Sequence, residues 1–439
     1  MFDNNIYNDW GFKESPFSTK PLHSNETGDN LLVGRDDDIR KLALKLVSSD
    51  AAVCLDGPVG AGKTSLANVT IYKGMRNFLE KGVPSPLLLP CARTFQIKPE
   101  QSADDLKFEI LIEVAQALID NACKFQYGIK IAGSIEMNAW LNSPLINQWG
   151  EGVATILANG DGGQVNEGAG FSKSGFEKVL TNWLGKIFPD GRNGGVVCVI
   201  DNLELLEKSA EARKKIENLR DTLLTIQGIK WILCGAHGIL QGVITSPRLA
   251  GYLQEPLPIK PLTLKDAGEL VNRRVSFFRM ECGPTPYLPL SNGDFHTLYT
   301  ILQHNLRICL SYAEDYCMHI SMRGLKPNSE AEKSQIFFSW LKERAKGIYE
   351  GMRPHAGQTA INLLCLAASS SDMGGEFSPG DYEKLGFSSL QAMRPHVKTL
   401  EDCGALSAQK DDLDQRRKTI SITGKGWLIY WYKVTLAQD

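Results

Sequence analysis

Residues 51–70 read AAVCLDGPVGAGKTSLANVT: a short apolar run, a glycine-rich turn, and then a helical pattern. At the junction, Gly57-Pro58-Val59-Gly60-Ala61-Gly62-Lys63-Thr64 fits G-x-x-x-x-G-K-[ST] in the strand–turn–helix setting that the motif requires. Glycines let the backbone curl so that successive N–H groups point at one centre, and the following helix adds the positive end of its dipole. Such a cradle suits phosphate oxygens. Lys63 is expected to reach the β- and γ-phosphates of ATP and the Thr64 hydroxyl to ligate Mg²⁺, with Ser65 counted among the nucleotide-binding residues.

The same alternation continues on both sides. LLVGRDDDIRKLALKL upstream gives a turn and an amphipathic helix, and LLLPCARTFQI downstream is the next strand candidate. Ser102 with Asp105 resembles a helix start, after which Leu106, Ile110, Val114 and Ala117 recur at helical spacing. Between Asn142 and Gly175 the chain turns to Gly, Asn and Ser, a loop that is either simply mobile or grips a ligand or a neighbouring subunit. The helix FEKVLTNWLGKIF, the strand VVCVI, the charged helix EKSAEARKKIENLRDTLL and the strand KWILCGA follow. Strands alternating with helices predict a parallel sheet covered on both faces. The fold class is α/β: a P-loop NTPase sheet with a helical lid and a C-terminal winged-helix domain.

Boundaries follow from shifts in pattern. Residues 1–30 are polar, with Trp10, Phe12 and Phe17 among Asn, Ser and Pro, and read as an extended arm that has to dock to be ordered. Residues 31–258 read as the P-loop core and 259–350 as an all-helical segment, which the family resemblance given below makes the lid. Residues 351–439 carry helix, helix, helix, hairpin, the order of a winged helix, closed by KGWLIYWYK.

Composition is that of an ordinary globular chain: 439 residues, 43% hydrophobic, 22% charged, net charge −2. At roughly 150 residues per domain about three domains are expected, and the near-zero charge confines any nucleic-acid contact to a local patch. The ten cysteines form no CxxC pair or Cys/His cluster, which argues against a zinc site and for a reducing compartment. MFDNNIYNDWGF lacks the basic and apolar regions of a signal peptide, and no apolar run approaches the ~20 residues of a membrane span. A cytoplasmic location without a membrane partner is the expectation.

Magnesium needs a carboxylate on a neighbouring strand, and Asp201, at the end of VVCVI, supplies it. Many ATPases of this architecture place Glu next, where it polarises the attacking water. Here the residue is Asn202, and the nearest acid is Glu204. An amide orients water but accepts no proton, so slow hydrolysis with Glu204 assisting is expected. After KWILCGA comes His237, at a position that senses the γ-phosphate unless it is a plain loop histidine. Arg248 in SPRLAGYL stands where an arginine could serve a neighbour's nucleotide, or lie idle on the surface.

Gly34-Arg35 before the first helix, the P-loop, Asp201, the segment opening PLTLKDAGELV, and His304-Asn305-Leu306-Arg307 at a helix start together resemble the AAA+ ATPases of the origin-recognition initiator type. The resemblance covers most of the chain, although only the P-loop is individually specific. It implies that Gly34 and Arg35 line the adenine pocket and that Arg307 reaches across the lid to the γ-phosphate, a role suited to the forked donors of a guanidinium. The sequence departs from the family at Asn202 and at the end of KWILCGA, which lacks the usual Asn, Ser or Thr. STAND-type signalling ATPases, with a similar core, helical and winged-helix segments, are the alternative. A metabolic phosphotransferase is a third, unsupported beyond the P-loop.

The partners implied are copies of the chain or a hetero-complex, with double-stranded DNA or an effector protein at the winged helix. Gln391, Arg394, His396 and Lys398 are expected to face outward from a recognition helix. From residue 351 onward, however, ten Lys/Arg stand against ten Asp/Glu, including Arg416, Arg417 and Lys418 beside Asp411, Asp412 and Asp414 at the wing tip. Phosphate contacts supply most non-specific affinity, so this neutrality predicts weak DNA binding or a protein-facing role. Pro395 falls inside the proposed recognition helix and should bend it or start it.

Overall fold

The computed structural model describes residues 5–82, 85–91, 93–98, 100–121, 173–190, 194–206, 209–236, 238–410 and 418–436. Its centre is a parallel sheet of β1 (Val53–Asp56), β2 (Leu87–Pro90), β3 (Phe95–Gln96), β4 (Gly194–Asp201), β5 (Ile229–Gly235) and β6 (Leu257–Pro258). The strand order is β2-β4-β5-β1-β6, with β3 also pairing β4. The expected strand LLLPCARTFQI is thus two short strands, Leu87–Pro90 and Phe95–Gln96, both paired with β4.

Alternation along the strands explains the layers. Ala52, Cys54, Val196, Cys198, Ile200, Trp231 and Leu233 pack to one side, with α5 (Ala103–Asp120), α6 (Lys173–Ile187), α7 (Ser209–Leu219) and α8 (Ile239–Ile244). Val53, Leu55, Val197, Val199, Ile232 and Cys234 pack to the other, under α3 (Asp36–Ser48) and α4 (Lys63–Lys81). Every residue of β4 is buried, and each fully buried Val or Ile contributes roughly 1.5–3 kcal/mol. The sheet therefore holds its C-terminal edge, where Asp56, Asp201 and Gly235 end their strands, as a rigid platform.

The lid consists of α9 (Leu264–Phe278), α10 (Asn292–Ile301), α11 (Leu306–Met322) and α12 (Glu330–Met352). The N-terminal arm belongs to its core. Trp10, Phe12 and Phe17 are buried there, Phe17 stacking on Phe295 with ring centroids 6.3 Å apart. Lys13 N donates to Phe278 O at 2.7 Å, and Met280 N to Gly11 O at 2.9 Å. The arm is not purely extended: it carries two short helices, α1 (Ile6–Asp9) and α2 (Glu26–Leu31), capped by Asn5 and Asn25.

The C-terminal part contains α13 (Gln358–Ser369), β7 (Glu376–Phe377), α14 (Leu390–Asp402), β8 (Leu406–Lys410), β9 (Lys418–Ile422) and α15 (Gly424–Leu436). The expected second helix is a 3-10 turn, Pro379–Tyr382, and β7 adds an unexpected third strand beside β9. Pro395 lies within α14 and neither starts nor ends it. Helix α15 is shared: Leu428 and Tyr432 join the core of α9–α12, Trp427 and Ile429 that of the C-terminal part. No helix among the described residues is long and apolar enough to cross a membrane. Residues 142–172, His237 and the wing tip 411–417 lie outside the described residues.

Candidate functional site: the loop after β1

Helix α4 starts on Gly62, at φ 90°, with no side chain capping its leading amides. Gly62 is needed there because L side chains avoid this left-handed region. Lys63, buried, turns back to donate from Nζ to Gly57 O at 2.9 Å and Pro58 O at 3.1 Å. Thr64 Oγ1 donates to Asp201 Oδ2 at 2.5 Å, which brings the motif hydroxyl and the acid ending β4 together. The other carboxylate oxygen of Asp201 accepts from Asn202 N at 2.8 Å. Two adjacent hard oxygen donors fit Mg²⁺, which usually completes its shell with water and substrate phosphate.

Asn202 has a φ of 57°, a conformation that Asn tolerates far better than Glu. This gives a backbone reason for the departure from Asp-Glu. Glu204 stands one turn on, in the 3-10 turn Leu203–Leu206, half-buried, and its Oε2 is buried without a hydrogen-bond partner among the described residues. Both line the cavity over the P-loop. At the end of β5, burial first and the Asp201 charge second push the Cys234 thiol well up, so it acts as a neutral filler.

The lid supplies the opposite wall. Asn305 caps α11, accepting from Ile308 N at 3.2 Å, and its Nδ2 donates to Val59 O at 3.1 Å. Gly60 makes room for this approach, since a Cβ there would lie 2.6 Å from Asn305 Oδ1 and 3.0 Å from Arg307 Cβ. Arg307 is exposed, lines the cavity, and forms no hydrogen bond or ion pair with a described residue.

Other expected residues sit elsewhere. Arg35 is buried behind the loop, bonding Asp38 at 3.0 Å and Ala61 O at 2.7 Å, so it braces the P-loop from outside the cavity. Gly34, at φ 67°, lies against Asp266. Pro58 is exposed, whereas Ser65 does line the cavity and its Oγ accepts from Leu22 N at 3.0 Å. Arg248 is 68% exposed and paired with Glu217 at 3.5 Å, away from the cavity within this chain. On α14, Gln391, Arg394 and Lys398 are exposed as expected, but His396 is half-buried against Phe387 at 5.5 Å.

Two contributors escaped the sequence reading. Ser18, Thr19, Lys20 and Pro21 of the arm wall the cavity, and so does Arg274 of α9. Arg274 is 6% exposed, and burial pushes its guanidinium down to about 10. The available signal was its spacing: Ala267, Leu270, Val271 and Arg274 fall on one helix face, all buried. The cavity holds about 60 Å³ and adjoins one of about 670 Å³ that shares Lys20, Thr64, Asp201, Asn202 and Arg307.

No family model matches the sequence, and no curated protein matches it. In structure, the chain aligns over most of its length with solved Orc and Cdc6 proteins. The ORC1 protein of Aeropyrum pernix, solved in complex with DNA, is 13% identical with a TM-score of 0.43, over 94% of this chain and 96% of that one. The ADP form of the ORC2 protein of the same organism is 12% identical with a TM-score of 0.47, over 98% and 99%. A Walker-type ATPase of Pyrococcus abyssi is 12% identical with a TM-score of 0.47, over 94% and 99%. At these values the functional reading has to come from the residues of the site.

Proposed function

We propose that the protein is a Mg·ATP-dependent switch ATPase of the AAA+ kind, in which nucleotide state sets the relation of core to lid and is passed to the C-terminal domain. One observation carries this reading: the uncapped start of α4, Lys63 and the Thr64–Asp201 pair, all of the core, share a cavity wall with Arg307 of the lid. Lys63 and Arg307 supply positive charge to phosphate from opposite sides, so a terminal phosphate pulls the two bodies together. Thr64 and Asp201 would hold Mg²⁺, which neutralises charge on phosphate oxygens when bound. Glu204 accepts the proton of the attacking water, and Asn202 orients that water, which makes for slow turnover. Ligand sites for molecules of this size commonly measure about 300–1,000 Å³, so a nucleotide needs the narrow cavity together with the larger one that it adjoins.

The route outward is short. Ile308, next to Arg307, touches Gly424 at the start of α15, where a Cβ would lie 2.9 Å from its Cγ2. Helix α15 is shared with the winged helix, which presents Gln391, Arg394 and Lys398 for DNA engagement. Arg248 serves a neighbouring copy's nucleotide in an assembly, once it leaves Glu217. The even balance of ten basic and ten acidic residues after position 350 favours a second reading, a STAND-like signalling or defence ATPase whose winged helix meets an effector protein.

The test is calorimetric titration with ATP and ADP in Mg²⁺, on the wild type and Lys63→Ala, followed by a gel shift with double-stranded DNA at ~50 mM salt. Lys63→Ala is expected to lose at least about tenfold in ATP affinity, the worth of a charged hydrogen bond. Undiminished affinity ends the nucleotide reading. A shift dependent on ATP supports the DNA role, and none at micromolar protein leaves the effector reading.

A further inference from the structure

A guanidinium offers five N–H donors, and Arg274 spends few of them. Nη1 donates to Pro16 O at 3.1 Å and Ser18 O at 2.8 Å, both backbone carbonyls of the arm. Nε is buried without a partner, and Nη2 makes no hydrogen bond with a described residue. All of this, and the absence of any carboxylate ion-paired with it, holds among the described residues. Its neighbour in sequence shows the ordinary alternative: Arg273 is solvated and bonds Glu269 one turn back at 3.2 Å.

A buried cation held only by carbonyls is costly unless an anion completes its shell. The Nε–Nη2 edge is the one that a guanidinium offers side-on to carboxylate or phosphate, and Arg274 lines the cavity that also contains Lys63, Thr64 and Arg307. The geometry points to Arg274 as a second lid cation for the phosphate chain of the nucleotide, its free edge on phosphate oxygens and its Nη1 on the arm. This inference rests on the nucleotide reading above and adds to it: the arm that walls the cavity hangs from a residue that reads phosphate. Arg307 and Arg274 come from different lid helices, so the phosphate is held by α9 and α11 together, and the arm moves with them.

The experiment compares wild type, R274K, R274M and Lys63→Ala by calorimetric titration with ATP, ADP and adenosine, with a thermal scan of each free protein. R274K keeps the charge but loses the fork, and ATP should bind about fivefold more weakly while adenosine is unaffected. R274M should lose at least about tenfold for ATP. A merely structural role would lower the melting temperature and shift all three ligands alike. If R274M does not fold, R274K decides. ATP affinity in R274K within about twofold of wild type overturns the inference, provided that Lys63→Ala is weakened. A wild type that ignores ATP, or a Lys63→Ala that binds it normally, removes the nucleotide reading itself and this inference with it.

Discussion

Helices α4 and α11 both begin at the cavity, and they begin differently. Helix α11 carries its own cap, with Asn305 accepting from Ile308 N and spending its amide on Val59 O. Ser102, Thr263, Ser291, Ser329 and Ser389 do the same for α5, α9, α10, α12 and α14. Helix α4 starts on a glycine that has nothing to offer its amides. Helix α13 also starts on a glycine, but Gly357 is exposed and water can serve those amides. A cap is worth about 1 kcal/mol, so its omission over a cavity lined by Lys63 leaves donors for an anion. The comparison separates a helix start that holds the fold from one that waits for a ligand.

The strongest way to break it is to give α4 a cap. Gly62→Asp adds a carboxylate beside the leading amides, where a Cβ meets nothing within 4 Å but the φ of 90° costs about 1–2 kcal/mol of strain. ATP affinity should fall by at least about a hundredfold, more than that strain accounts for, because the carboxylate competes for the phosphate's donors and repels it. Unchanged affinity by titration would mean that α4 is not the anion site. Next in size, Glu204→Gln removes the unpartnered carboxylate without touching the amides. Single-turnover hydrolysis should slow about a hundredfold while ATP affinity holds, the range expected for losing a general base. Equal slowing in binding would instead assign Glu204 to the cradle. The smallest effect belongs to Asn305→Ala, which takes away the self-made cap and the tether to Val59. About 1 kcal/mol of stability should be lost in a denaturant melt, with ATP affinity reduced only severalfold.

What was legible in the sequence was local. The glycine pattern, the apolar strand ending in Asp201 and the apolar runs of the other core strands each sit within a few neighbouring residues. The Asn305 start of α11 was visible for the same reason. Arg274 was not, because its meaning lies in partners far along the chain: it is one of two adjacent arginines, and only tertiary packing buries one and solvates the other. Arg35, which the family resemblance assigns to the adenine pocket, has a partner that no local pattern announces: its hydrogen bond to Ala61 O turns it behind the loop. The arm's aromatics did announce docking, but nothing local showed that the docked strand would also wall the site. The short β7 escaped because two residues carry no period to read.

The wall formed by the arm sets a schedule for folding. Arg274 reaches Pro16 across 258 positions, and Ser15 reaches Glu314 across 299. At about 5–20 residues per second, a ribosome releases the arm on the order of tens of seconds before its partners exist. During that interval Trp10, Phe12 and Phe17 have no apolar bed, and a newborn core can meet nucleotide with its roof still unbuilt. The completed pocket is thus among the last things that this polypeptide acquires, although its most recognisable piece is made early.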